Sequence, residues 1–176
     1  MITTSPSEFL HAFATLAPRD GAAATARAAY LVAPAEFALA AESARDNRYM
    51  DMNLAVDPLK ALAQHGALAQ ALRADVPVIT FPGDPATPDA VFPNNVFATA
   101  PGRLIVGRMR HPVRRREAER HDIRAFFGEV LGYDEIDLSG CAGLVAELTG
   151  SLVIDRARGV GYCGLGERCD MAGAQA

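Results

Sequence analysis

"PDAVFPNNVFATAPGRLIVGRMRHPVRRREAER", residues 88–120, decides how this chain folds. Val91 and Phe92 read as strand residues, because branched and aromatic side chains suit a pleated, half-buried surface. The apolar run then meets Asn94 and Asn95, two amides held at its far end. "AVFPNNVFAT" leads to a turn at Pro101-Gly102 and returns through "RLIVGRM", which predicts a β-hairpin. After Pro112 the spacing predicts one long amphipathic helix over about residues 113–131. Ile123, Phe126, Phe127, Val130 and Leu131 fall on its apolar face. "DEIDLSG" follows as a short strand with its turn.

Outward from this block the pattern is of alternating elements. "AAYLVAPAEF" predicts a buried strand over 28–33, stopped by Pro34. "ESARDNRYMDMN" is polar and reads as a loop. Asp57 and Pro58 open a helix running to about residue 74, with Leu59, Leu62, Ala69 and Leu72 on one face. "VPVITF" is a strand. "SLVID" and "GVGYCGL" form a second hairpin around "RARG", and Asp170 has the character of a helix cap. At the other end, "SPSEFLHAFATLA" predicts a helix capped by Ser5 with Pro6 in its first turn. Residues 18–27 read as a flexible link. The expected organisation is a flexible or helical lead-in over 1–27 and one α/β domain over 28–176. The loose recurrence of strand, hairpin and helix suggests repeated modules.

Composition narrows the function classes. Half of the 176 residues are apolar, enough for one cored domain, and the net charge of −4 points to neither nucleic acid nor membrane. Arginines crowd residues 103–124, but without interleaved aromatics they read as a solvated face. No apolar run approaches the roughly 20 residues of a membrane span. Residues 1–20 lack the pattern of a secretory signal. Three cysteines without CxxC spacing suit a reducing cytoplasm. The histidines match no metal spacing, and no cofactor is implied.

Polar groups gather at the ends of the apolar runs. Asp89, Asn94 and Asn95 supply carboxylate and amide oxygens. Glu147 precedes a small-residue turn, Thr149-Gly150-Ser151. Arg114 and Arg168 offer bidentate donors for a carboxylate. Together they would grip a small molecule with a guanidinium or ureido head and an amino-acid tail. Each also has a plainer reading: the asparagines as turn residues, Glu147 as a hydrogen-bonded turn acid, the arginines as a charged helix face. Cys163 reads as inert core, and Arg168 beside Cys169 would lower that thiol's pKa.

The order of "PDAVFPNNVFAT", "HPVRRRE" and "AELTGSLVIDRARGVGYCGLGER" resembles the guanidino-group-modifying enzyme superfamily. That group includes the amidinotransferases, dimethylarginine dimethylaminohydrolases, arginine deiminases and citrulline-type hydrolases, the last being nearest. The resemblance covers about residues 28–176. It implies a partial α/β propeller, roughly three of the five ββαβ modules of the pentein fold. It also implies hydrolysis of a C–N bond in a citrulline- or arginine-like amino acid through a Cys-bound intermediate, with a His as acid and base. In that resemblance Asn95 matches the acidic residue that holds the guanidinium, with Asn94 beside it. Asp89 matches a substrate-contacting Asp, Glu147 the carboxylate that orients the His, and Arg114 and Arg168 the arginines that bind the substrate carboxylate.

The departures carry meaning. Amides in place of an acid remove the negative charge that grips a cationic guanidinium, while an amide pair fits a neutral ureido group, as in citrulline, about as well. Leu148 stands where Gly is usual, and "GERCD" lacks the usual Ser and Thr. The family's Cys and His would lie in later modules, so the chain is expected to be truncated, lacking both, and to have open module edges through which copies could associate. The alternatives are a catalytically inactive interaction protein and an amidinotransferase.

Overall fold

Proline and short polar side chains punctuate the chain at many element boundaries. The computed structural model describes residues 1–16, 25–45, 47 and 50–176. Helix α1 (Pro6–Ala14) starts as the sequence predicts: the Ser5 hydroxyl accepts the Glu8 N–H at 3.3 Å, and Pro6 needs no N–H partner in the first turn. Strand β1 (Ala29–Val32) follows, then a single turn, α2 (Ala41–Ala44), inside the stretch expected to be loop. The link expected over 18–27 falls largely on residues 17–24. Those residues, and 46, 48 and 49 of the polar loop, lie outside the described residues.

Helix α3 (Pro58–Leu72) is capped by the Asp57 carboxylate, which accepts the N–H groups of Leu59 and Lys60 at 3.0 and 3.1 Å. Strand β2 (Val78–Phe81) returns parallel to β1, pairing Ala29 with Val78 through Val32 with Phe81. This is a βαβ unit. The face expected to be buried on α3 is not: Ala69 is its one buried residue, Leu72 is half-buried, and Leu59, Leu62 and Leu68 are exposed. The sheet beneath it has two strands and offers little surface for the leucines to cover.

Residues 88–95 form two 3₁₀ turns, Pro88–Val91 and Pro93–Asn95, where a strand was expected. The prolines explain it. Each lacks a ladder donor and fixes φ near the helical value, so the backbone closes on itself instead. The Phe92 N–H donates to the Asp89 carbonyl at 2.9 Å and the Val96 N–H to the Pro93 carbonyl at 3.0 Å. The hairpin begins one residue later, with β3 (Phe97–Ala100) and β4 (Arg103–Val106) antiparallel across the Pro101-Gly102 turn. Gly102 sits at φ +70°, a backbone region that favours glycine.

The expected long helix is broken into pieces: α4 (Pro112–Arg115), a 3₁₀ turn over Arg116–Glu119, α5 (His121–Ala125) and a π-turn over Phe126–Val130. The break falls at Arg120, whose guanidinium is drawn off to the Pro82 carbonyl at 2.8 Å and to Asp122 at 2.6–2.8 Å. The π-turn adds a residue to one helical turn. Adjacent Phe126 and Phe127 can then both reach aromatic partners, Phe81 at 5.7 Å and Tyr30 at 5.4 Å between ring centres. Val130 and Leu131, expected on the buried face, are pushed into solvent.

Strand β5 (Asp134–Asp137) pairs parallel with β4, completing a ββαβ unit over residues 97–137. One helical turn, α6 (Leu148–Ser151), then leads into the antiparallel pair β6 (Leu152–Asp155) and β7 (Val160–Cys163). Helix α7 (Met171–Gln175) is capped by the Asp170 carboxylate, which accepts the Gly173 N–H at 2.7 Å. The core lies between the βαβ and ββαβ units, where Val32 and Phe81 meet Phe97, Leu104, Val106, Ile123 and Phe127. Among the described residues, no helix is long and apolar enough to cross a membrane.

Candidate functional site

Past Val106 the β4 chain continues into residues 107–109 and crosses two other segments at Ala146. The Arg108 N–H donates to the Ala146 carbonyl at 3.1 Å, the Ala146 N–H to the Arg108 carbonyl at 2.9 Å, and Ala146 also bridges Cys169. The crossing is close enough that a Cβ on Gly107 would stand 2.5 Å from the Ala146 oxygen. Only a residue without a side chain fits there.

Glu147 follows directly and is buried. Its N–H donates to the Arg168 carbonyl at 2.8 Å, and its Oε1 accepts the Arg110 N–H at 3.2 Å. Its Oε2 lies 4.0 Å from Arg168 Nη1, so the acid and the arginine form a loose ion pair. Gly150 admits that arginine, since a Cβ there would come within 3.3 Å of Arg168 Cδ. Thr149 joins this corner to the paired amides. Its hydroxyl donates to the Asn94 carbonyl at 2.7 Å, accepts from Asn94 Nδ2 at 2.5 Å and lies 3.4 Å from Asn95 Oδ1. A pocket of about 430 Å³ opens alongside, lined by Thr149, Gly150, Ser151, Glu167 and Arg168 among others. Asn94, Asn95, Glu147 and Arg168 therefore share one corner of the molecule.

Asp89 and Arg114 lie together behind it. Arg114 is buried, and its Nε and Nη2 donate to the two Glu117 oxygens at 2.7 and 2.9 Å. Nη2 also reaches the Phe92 and Asp89 carbonyls at 3.2 and 3.4 Å. The guanidinium thus staples the first 3₁₀ turn to α4. The Asp89 carboxylate accepts the Ser43 hydroxyl. Sequence reasoning missed Ser43, Arg110, Glu117 and Thr149. Glu117 had a signal, three residues after Arg114 on a helix. Ser43 had none, being 46 residues from its partner.

Burial pushes the Glu117 carboxyl up to about 7, against the pull of Arg114 and with help from the Asp89 and Glu147 charges. Glu117 therefore couples the two halves of the site electrostatically. The folded chain holds this proton more tightly than the unfolded chain. Glu117 thus contributes stability at low pH that is lost as pH rises from about 4.5 to about 7. Urea unfolding of the native chain and of Glu117→Gln should differ in slope against pH within that window and run parallel above it. Parallel curves throughout would refute the shift.

The thiols depart from expectation. Cys163, expected in the core, is exposed, because β6 and β7 form a two-stranded sheet with an open face. Cys169 is buried, and burial together with the neighbouring Cys163 pushes its thiol up to about 11, opposite to the lowering expected beside Arg168. Among the described residues, no group of three or more His, Cys, Asp and Glu is placed to hold a metal ion.

A family model described as N,N dimethylarginine dimethylhydrolase, eukaryotic, matches residues 33–176. No curated protein matches the chain. Among solved structures, the chain is similar to ArgZ, an arginine dihydrolase from the ornithine-ammonia cycle in cyanobacteria. The TM-score is 0.67 and the identity 22%, over 81% of this chain and 21% of that one. A mutant of AgrE in binary complex with L-arginine gives a TM-score of 0.67 at 22% identity, over 85% of this chain and 21% of AgrE. A dimethylarginine dimethylaminohydrolase variant, as its adduct with S-methyl-L-thiocitrulline, gives 0.62 at 24% identity, over 83% of this chain and 53% of that one. The chain spans about a fifth of the first two and about half of the third.

Proposed function

Since this chain belongs to the N,N-dimethylarginine dimethylhydrolase family, within the guanidino-group-modifying superfamily, we propose that it forms the substrate-gripping part of a hydrolase. The bond cleaved is a C–N bond in a guanidino or ureido amino acid. The observation that carries this reading is the single corner made by Asn94, Asn95, Glu147 and Arg168, tied together through Thr149. A planar head of the substrate stacks its N–H groups against the amide oxygens of Asn94 and Asn95, and Arg168 pairs with its carboxylate. Glu147 orients the histidine that moves the proton. Asp89 is buried with its carboxylate held by the Ser43 hydroxyl, so in this reading it and Arg114 support the corner rather than touch the substrate, Arg114 by holding the Asp89 and Phe92 carbonyls in place.

The thiolate that attacks the guanidinium or ureido carbon, and the histidine, come from outside these 176 residues. In support, burial shifts the Cys169 thiol towards its protonated form, unlike the pre-formed thiolate that attack on a guanidinium or ureido carbon calls for. The ββαβ unit is, in this reading, one module of an α/β propeller.

The test is an NMR titration of this chain with L-citrulline and L-arginine. Either should shift the amide signals of residues 94–95, 147–150 and 168, and Glu147→Gln or Arg168→Ala should weaken binding about tenfold or more, the effect of losing a charge-assisted bond. Shifts scattered elsewhere, or none at millimolar ligand, would remove the substrate assignment. Ammonia release by this chain alone would instead overturn the external nucleophile and leave the binding corner standing.

A further inference from the structure

We infer that Cys163 and Cys169 form a reversible dithiol–disulfide site that ties together the two ends of the segment 164–168. The two sulfurs lie 3.5 Å apart, with the Cys163 thiol donating to Cys169 Sγ. Cys169 in turn donates to the Asp170 carbonyl at 3.5 Å. The chain between them is already folded back on itself: the Gly166 N–H donates to the Cys169 carbonyl at 2.9 Å, and the Gly164 N–H to Ser151 at 2.8 Å. A disulfide needs its sulfurs at about 2.05 Å. The remaining approach is short enough for side-chain rotation, since Cys163 is exposed at the end of β7.

The two thiols have different parts. Exposed Cys163 meets the oxidant, a small-molecule disulfide. Its thiolate attacks one sulfur of that disulfide and expels the other as a thiolate, leaving a mixed disulfide on the protein. The Cys169 thiolate then attacks the Cys163 sulfur and expels the second small thiolate. The protein loses two thiol protons and two electrons, and the oxidant is reduced to two thiols. Cys169 is the resolving sulfur by position, buried out of the oxidant's reach and 3.5 Å from Cys163; burial raises its thiol, so it gives up its proton to solvent as it attacks and closure is slow. The ring so closed contains Glu167, which pairs with Arg110, and Arg168, which pairs with Glu147. Oxidation therefore stiffens the segment that borders the pocket. This consequence rests on the site reading above, whereas the bridge does not.

The full chain is equilibrated with reduced and oxidised glutathione under anaerobic conditions, quenched in acid, and assayed for free thiols and by peptide mass mapping. Free thiols should fall from three to one, with Cys163 linked to Cys169 and Cys141 unmodified. Cys169→Ser should accumulate the mixed disulfide at Cys163, because its resolving sulfur is gone. Cys163→Ser should resist modification at buried Cys169. The equilibrium constant for closure should be at least about tenfold higher in the native chain than in urea, a gap of about 30 mV for a two-electron couple. Equal constants in both conditions, a link to Cys141, or three thiols persisting would each overturn the inference.

Discussion

Arg114→Met is expected to lower the unfolding free energy of the chain by about 3–5 kcal/mol, the cost of stranding one member of a buried ion pair. Side-chain exposure is 8% for Arg114 and 2% for Glu117, so water cannot replace the lost partner. The guanidinium also serves the Asp89 and Phe92 carbonyls, which would be left short of a donor. Urea unfolding at pH 8 reads a loss moderated by proton uptake at Glu117, whose carboxyl rises further once Arg114 no longer lowers it, and the loss should grow with pH. Replacing both residues, Arg114→Met with Glu117→Leu, should recover most of it, because a well-packed apolar pair is often as stable as a buried ionic one. A single-variant loss below about 1 kcal/mol, the range of surface pairs, would show that the pair is open to solvent.

Gly107→Ala is the second large effect. The added methyl would stand 2.5 Å from the Ala146 oxygen and 3.1 Å from Leu148 Cγ. The first contact is with backbone, which cannot rotate aside. Relief requires the strands to part at the Arg108–Ala146 pairing, and Glu147 moves with Ala146. Overpacking of this kind costs about 1–3 kcal/mol. The same variant should lose L-citrulline binding in the NMR titration even below its unfolding transition. Gly66→Ala provides the contrast. A Cβ there meets nothing within 4 Å, and an alanine in a helix should add up to about 1 kcal/mol of stability. Were Gly107→Ala to behave like Gly66→Ala, the three-segment crossing would be looser than described.

What could be read from the sequence was what is encoded locally. Ser5, Asp57 and Asp170 sit beside the N–H groups they cap, and Pro101-Gly102 turns its own hairpin, so those elements stand where they were expected. The long helix was misread because Arg120 breaks it by reaching Pro82, 38 residues away. Residues 88–95 depart from the expected strand because Pro88 and Pro93 forbid a ladder, which outweighs the apolar character of Val91 and Phe92. The α3 leucines were assigned to a core that the two-stranded sheet does not supply. In the candidate site, motif order singles out Asn94, Asn95, Glu147 and Arg168, which the fold brings to one corner. Their link through Thr149 was not legible, since a hydroxyl between amides leaves no periodic signature.

The crossing at Ala146 draws on stretches separated by dozens of residues, and its backbone hydrogen bonds exist only once all three have come together. Whatever occupies the neighbouring corner can do so only after the last of them has docked. If the corner binds as proposed, occupancy would be a late gauge of complete folding, and by mass action a saturating ligand would act as a folding aid for this chain.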